Sequence, residues 1–214
     1  MIQLERIDSP SGRFYKTPEG LFLPSVTTIL AQIPNPGLDA WRKAVGEEKA
    51  TEIGRKAAAR GTKLHQFSED YLNQLDPKLD AFDKFAYNGL IPELNRIEPI
   101  AIEEQSYSIK LRVAGTMDCL GYYTNSAGQR KLCIIDFKTT SGLKHDGEFD
   151  SYWLQCSAYA AMVFEHRGLI VQDLLIIMQD CAAGENRVFE AKTKDWLPKF
   201  KALRNLINLE YQPG

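Results

Sequence analysis

The chain has 214 residues, 44% of them hydrophobic and 25% charged, with a formal net charge of -2. That length and balance suit one sizeable globular domain and exclude a broadly basic nucleic-acid coat. No apolar run approaches the roughly 20 residues of a membrane span, and the start, MIQLERIDSP, lacks a basic-then-apolar leader, so a cytoplasmic chain without a membrane partner is expected.

In chain order, GRFYKTPEGLFLPSVTTIL (12–30) reads as a short hairpin turning at Pro18, Glu19 and Gly20, with Pro24 and Ser25 leading into a new segment. From Trp41 to about Leu75 the composition turns helical, and Gly46, Gly54 and Gly61 are expected to divide it into shorter helices. Pro77 opens another helical stretch to about Arg96, with a break at Pro92. The period then becomes that of strands in PIAIEEQSYSIKL (99–111), VAGTMDCLGYY (113–123) and KLCIIDFKTT (131–140), the last two joined by a turn over 125–128. FDSYWLQCSAYAAMVFEHRG (149–168) reads as a helix ending at a glycine and QDLLIIMQD (172–180) as a short buried strand. ENRVFEA (185–191) reads as an edge strand and KDWLPKFKALRNLINLEY (194–211) as a closing helix. Without repeats or low-complexity linkers, residues 1–214 are expected to form one domain: 1–96 a hairpin and helical part, 97–214 a sheet with flanking helices.

Cys119, Cys133, Cys156 and Cys181 include no CxxC pair, so they are expected to be reduced and packed as small apolar side chains. Neither a phosphate-binding P-loop nor a GxGxxG turn is present, which argues against an ATP-driven motor or a dinucleotide enzyme. The chemistry gathers instead in CIIDFKTT (133–140). Side chains two apart on a strand share a face, so Asp136 and Lys138 project together and Phe137 points the other way. Asp118 lies 18 residues before Asp136, the length of a strand, a turn and a return strand, so a hairpin can set the two carboxylates side by side. Carboxylates so placed repel unless a cation, usually divalent, lies between them. Lys138 would then position or activate a water, or stabilise charge on a phosphate oxygen. Taken alone the tripeptide is common, and a strand-end salt bridge beside a solvated Asp118 explains it as well. Two further stretches bear on the choice. RGTKLHQFSEDYL puts His65 and Glu69 on one helical face, and Gly61 and Thr62 before them suggest a tight approach of that helix to another element. Tyr152, Gln155 and Tyr159 form a stripe on the helix after the acid-bearing strand, a stripe that an ordinary amphipathic helix would also show.

In this order, PSVTTIL, RGTKLHQFSEDYL, GTMD, IIDFKTT and YWLQCSAYA, from about residue 24 to 160, resemble the PD-(D/E)XK nuclease superfamily. Within it they are most similar to the RecB-like branch, which holds the mitochondrial genome maintenance exonuclease and phage-encoded relatives. The resemblance implies an α/β, restriction-endonuclease-like core: a central mixed β-sheet, an antiparallel meander plus a further strand, flanked by helices, with an N-terminal helical addition. It implies one or two Mg2+ or Mn2+ ions held by His65, Asp118, Asp136 and the backbone carbonyl of Phe137, with Lys138 as the catalytic lysine. Gln155 and Tyr159 would shape the site and touch the phosphate backbone, and Glu104 would be a supporting acid. Ser25, Thr27, Arg60, Thr139, Tyr152 and Gln155 are the expected nucleic-acid contacts. The cysteine set of the iron–sulfur members is missing, and a stand-alone nuclease without a helicase domain in the same chain is expected.

The expected function is a divalent-metal-dependent DNA exonuclease acting on single-stranded DNA from free ends. Its setting would be replication, recombination or repair in a bacterial or phage-infected cell, with a recombination or single-strand-binding protein as a candidate partner. The alternatives are an endonuclease on structured or duplex DNA and a catalytically silent nucleic-acid-binding protein. Trp41 to Lys63 carries seven basic residues against three acids, and Lys192 to Arg204 five against one; both could track phosphates or simply be solvated helix faces. Phe14, Tyr15 and Trp41 are candidates for base stacking unless the core claims them. The residues ahead of the meander are expected to arch over the site so that a single strand must be threaded.

Overall fold

The structure is a computed structural model that describes residues 2–140 and 149–211. Three short strands open the chain, β1 (Glu5–Ser9), β2 (Gly12–Lys16) and β3 (Phe22–Pro24), as an antiparallel sheet in sequence order. The β2–β3 turn falls at Pro18–Gly20, closed by a bond from Thr17 N to Leu21 O of 2.8 Å, with Gly20 at φ +83°. β1 was not expected. Its sequence, ERIDS, carries little apolar signal, and its pairing with β2 makes it a strand.

Helices α1 (Val26–Leu30) and α2 (Pro36–Val45) begin at side-chain caps, Ser25 and Asn35. Gly46, at φ +87°, separates α2 from α3 (Glu47–Leu72), as expected. Gly54 and Gly61 do not divide α3, which runs unbroken for 26 residues. Each glycine costs about 1 kcal/mol relative to alanine in a helix, and packing of Leu64 and Phe67 in the core outweighs that cost. Nor does Gly61 mark a close approach, since a Cβ there would meet nothing within 4 Å. The second helical stretch starts later than Pro77: Asp80 caps α4 (Ala81–Asn88), and Pro92 sits in the first turn of α5 (Ile91–Leu94).

The main sheet has five strands in sequence order, β4 (Ile97–Ser108), β5 (Val113–Thr124), β6 (Arg130–Thr140), β7 (Asp173–Asp180) and β8 (Glu185–Lys192). β4–β5–β6 is an antiparallel meander, β7 runs parallel to β6 and β8 antiparallel to β7. The parallel step is made through α6 (Asp150–Arg167), and α7 (Thr193–Leu206) closes the chain earlier than the expected Tyr211. The chain is thus α/β, with a mixed sheet flanked by helices and a separate three-stranded sheet. Strand residues alternate between two cores: Leu120, Ile134, Leu174 and Ile176 pack with α6 and α7, while Cys119, Ile135, Leu175 and Ile177 pack with α3 and α4. All four cysteines are free and buried. Among the described residues, no helix is long and apolar enough to cross a membrane.

Candidate functional site

The β5–β6 ladder runs from Thr124 opposite Arg130 to Cys119 opposite Ile135 and stops there. The next pair in that register is Asp118 opposite Asp136. Instead of a strand bond, the Phe137 N–H donates to Asp118 Oδ2 at 2.8 Å. On the other side of β5, Ile102 pairs with Cys119 and Glu104 with Met117, which leaves Glu103 opposite Asp118. Glu103 has φ +46°, a left-handed conformation that costs a non-glycine residue on the order of 1–3 kcal/mol. Three neighbouring strands therefore carry Glu103, Asp118 and Asp136 in one row, at the level where both ladders break.

Helices on both faces of the sheet reach this row. From α3, His65 Nδ1 lies 3.4 Å from Glu103 Oε1 and 3.4 Å from Asp118 Oδ1. Ligand atoms of His65, Glu103 and Asp118 all fall within 4.8 Å of one another, an arrangement able to hold a metal ion. From α6, Gln155 Nε2 donates to Asp136 Oδ1 at 3.1 Å. Lys138 Nζ stands 2.6 Å from Asp136 Oδ2, a close ion pair that holds this buried oxygen. The shared face of Asp136 and Lys138 is as expected, and Phe137 packs in the opposite core with α3.

The two aspartates differ in charge preference. Burial works to raise the Asp118 carboxyl, but its hydrogen bond and charge interaction with His65 outweigh that and hold it below the ordinary value. Burial raises Asp136, opposed by the Lys138 charge and reinforced by Asp118. Burial likewise opposes protonation of His65, yet Asp118 and Glu103 raise its imidazole from 6.5 to about 10. Burial also disfavours the charged form of Lys138, and the carboxylates of Asp136 and Asp118 win, raising it above its usual range.

Tyr159 is buried, and a Cβ on Gly115 would sit 2.8 Å from its hydroxyl, so the glycine makes room for the ring. Burial, with the charges of Asp118 and Asp136, raises the Tyr159 phenol well above its usual value. Tyr152 lies at the rim, its ring centroid 5.1 Å from Lys138 Nζ. Comparison with protein-family models and with curated proteins finds no match.

The expected supporting acid, Glu104, points elsewhere and forms an ion pair with Arg167 at 2.5 Å. Glu103 takes its place in the row, because the left-handed residue resets which of the adjacent glutamates faces His65. Adjacent glutamates in a strand carry no signal that separates them; the register with Asp118 does. Ser25 is 2% exposed and its hydroxyl serves the α1 cap, accepting from Thr28 N at 2.9 Å. Thr27 is exposed beside it, while Arg60 and Thr139 are half-buried. Phe14 and Tyr15 belong to the core, which removes them as stacking candidates, whereas Trp41 is exposed. Part of the first basic stretch is already paired: Arg42 with Glu47, Lys56 with Glu52, and Lys63 with Asp83.

Proposed function

We propose that the chain is a divalent-metal-dependent deoxyribonuclease of the PD-(D/E)XK type, an exonuclease that works on single strands from free ends. The observation that carries this reading is the row Glu103–Asp118–Asp136, capped by His65 on one side and by Lys138 and Gln155 on the other. Its residues fit Mg2+ or Mn2+. Carboxylate oxygens suit both ions, an imidazole favours manganese, and the ligand atoms of His65, Glu103 and Asp118 already lie within 4.8 Å of one another. His65, Glu103, Asp118 and Asp136 would hold the ion, with the Phe137 carbonyl as a further candidate. When bound, such an ion polarises the scissile phosphate and lowers the pKa of the attacking water.

The remaining work falls to the protein's own groups. Lys138, with its ammonium 2.6 Å from Asp136 Oδ2, would orient the water and stabilise charge on a phosphate oxygen. Gln155 fixes the Asp136 carboxylate, and the buried Tyr159 ring supports the row from beneath. Contact with the phosphate backbone falls to the helices ahead of the site, since α2 buries none of its residues and α3 buries only Ala50 before Leu64. Lys43 on α2 and Lys49, Arg55 and Arg60 on α3 supply positive charge ahead of His65 in the chain.

End-labelled DNA, linear and circular, single- and double-stranded, with Mg2+, Mn2+ or a chelator, tests the reading. Linear single strands should be degraded to short products with either metal, and chelation should stop the reaction. Metal-independent turnover, or none on any DNA, would overturn the proposal; rapid cutting of circles would replace the exonuclease with an endonuclease.

A further inference from the structure

The seam between α6 and α7 holds a second arrangement, none of whose residues belongs to the acid row. A cleft of about 400 Å³ opens there, lined by Leu111, Ala160, Phe164, Ile170, Val171 and Leu197 among others. Its size falls within the range of about 300–1,000 Å³ common for ligand sites. Phe164 is 52% exposed and Ile170 70%, so apolar surface is left open to solvent at its mouth. A smaller cleft of about 210 Å³ adjoins it. Lys110, Leu111 and Lys201 line both, and Arg112, Arg204 and Asn205 complete the second.

Four of the six residues lining this second cleft are cationic, and none is acidic. Among the described residues, none of Lys110, Arg112, Lys201 and Arg204 makes an ion pair with a carboxylate. Arg204 is the telling one. It is 4% exposed, and its guanidinium donates to carbonyls alone: to Arg112 O at 3.2 and 3.3 Å, and to Ile207 O. Burial and the nearby Arg112 charge lower its pKa. A buried cation without a carboxylate is costly, and an arriving anion relieves that cost. The same bonds pin the β4–β5 turn, where Arg112 adopts φ +52°, so the array is formed in advance. Glu165, an acid lining the apolar cleft, is engaged by the Ser108 hydroxyl at 2.5 Å.

We infer that the paired clefts bind an acidic peptide segment of a partner protein, with a bulky apolar side chain in the α6–α7 cleft and neighbouring carboxylates on Lys110, Arg112, Lys201 and Arg204. Shared lining residues place the two halves within the span of adjacent residues of one peptide. A nucleic-acid backbone would leave the apolar half unfilled, and the apolar lining offers few partners to the edge of a base. A bilayer takes up projecting apolar side chains, whereas this surface is concave.

The test uses the full chain and a fluorescein-labelled peptide of four aspartates followed by leucine and phenylalanine, read by anisotropy. Saturable binding that weakens with salt is expected, with about tenfold or greater loss in Lys110→Glu/Lys201→Glu and in Ile170→Ser. A peptide with alanines in place of the two apolar residues should bind about tenfold more weakly or worse. All three positions are exposed, so circular dichroism should show unchanged folding. Absence of binding, equal binding of the alanine peptide, or variants that bind like the parent would each overturn the inference. So would loss of single-stranded DNA or anionic-vesicle binding in the charge-reversed variant while the peptide still bound. Hydrolysis of short DNA by Ile170→Ser should equal that of the parent, which separates this site from the proposed nuclease centre.

Discussion

Replacing Asp118 by asparagine probes the acid row without relying on turnover. Asp118 Oδ1 lies 3.4 Å from His65 Nδ1, and the His65 side chain is 31% exposed. At an effective dielectric near 20, unit charges at that distance attract by about 5 kcal/mol, equivalent to roughly 3.5 pH units. Burial of His65 offsets part of this, and Glu103, also at 3.4 Å, supplies a further share. Asp118→Asn should therefore lower the imidazole pKa from about 10 by roughly 2 units in the metal-free protein. Because the folded value is raised above 6.5, the pair stabilises the fold fully below that pH and loses its contribution as pH rises through about 10. The substitution narrows that window. It is nearly isosteric, and its amide oxygen can still accept from the Phe137 N–H, so the fold should persist. Imidazole NMR titration gives the shift, and calorimetry with Mn2+ should show weakened binding. DNA hydrolysis should fall on the order of a thousandfold or more. An imidazole that titrates near 6.5 in the parent, or does not move in Asp118→Asn, refutes the geometry; parental turnover in the variant refutes the centre.

Lys138→Ala should lose turnover on the order of a hundredfold or more while retaining affinity for DNA, since its proposed work is done in the transition state; rates and anisotropy measured together would expose a mere binding role. Mn2+ affinity should rise by about tenfold per pH unit between roughly 7 and 9, because the ion must displace the His65 proton; a flat profile by calorimetry contradicts this. Gly115→Ala should lower stability by about 1–3 kcal/mol in denaturant unfolding and reduce turnover as well, since the new methyl meets the Tyr159 hydroxyl; parental values for both would show that the ring has room to move. Glu103→Gln should weaken Mn2+ binding whereas Glu104→Gln should leave it within about twofold, a contrast that calorimetry can deny by showing the reverse.

Much of the architecture was legible in the chain. The change from helical to two-residue periodicity near residue 97, the turn over 125–128 and the length of the 149–168 helix lead to the mixed sheet, because hydrophobic periodicity records which face of an element is buried. The pairing of Asp136 with Lys138 follows from strand alternation alone. Three features needed the folded chain. Whether α3 breaks at Gly54 and Gly61 depends on what its far end packs against, and local propensity does not contain that information. Whether β1 forms depends on a partner strand. Which of Glu103 and Glu104 faces His65 depends on the register with β5 and on a left-handed residue that only the surrounding ladders hold in place. The cationic cleft is of the same kind: Lys110 and Arg112 come from a turn and Lys201 and Arg204 from a helix some 90 residues later, so their shared charge exists only where the fold brings the two together.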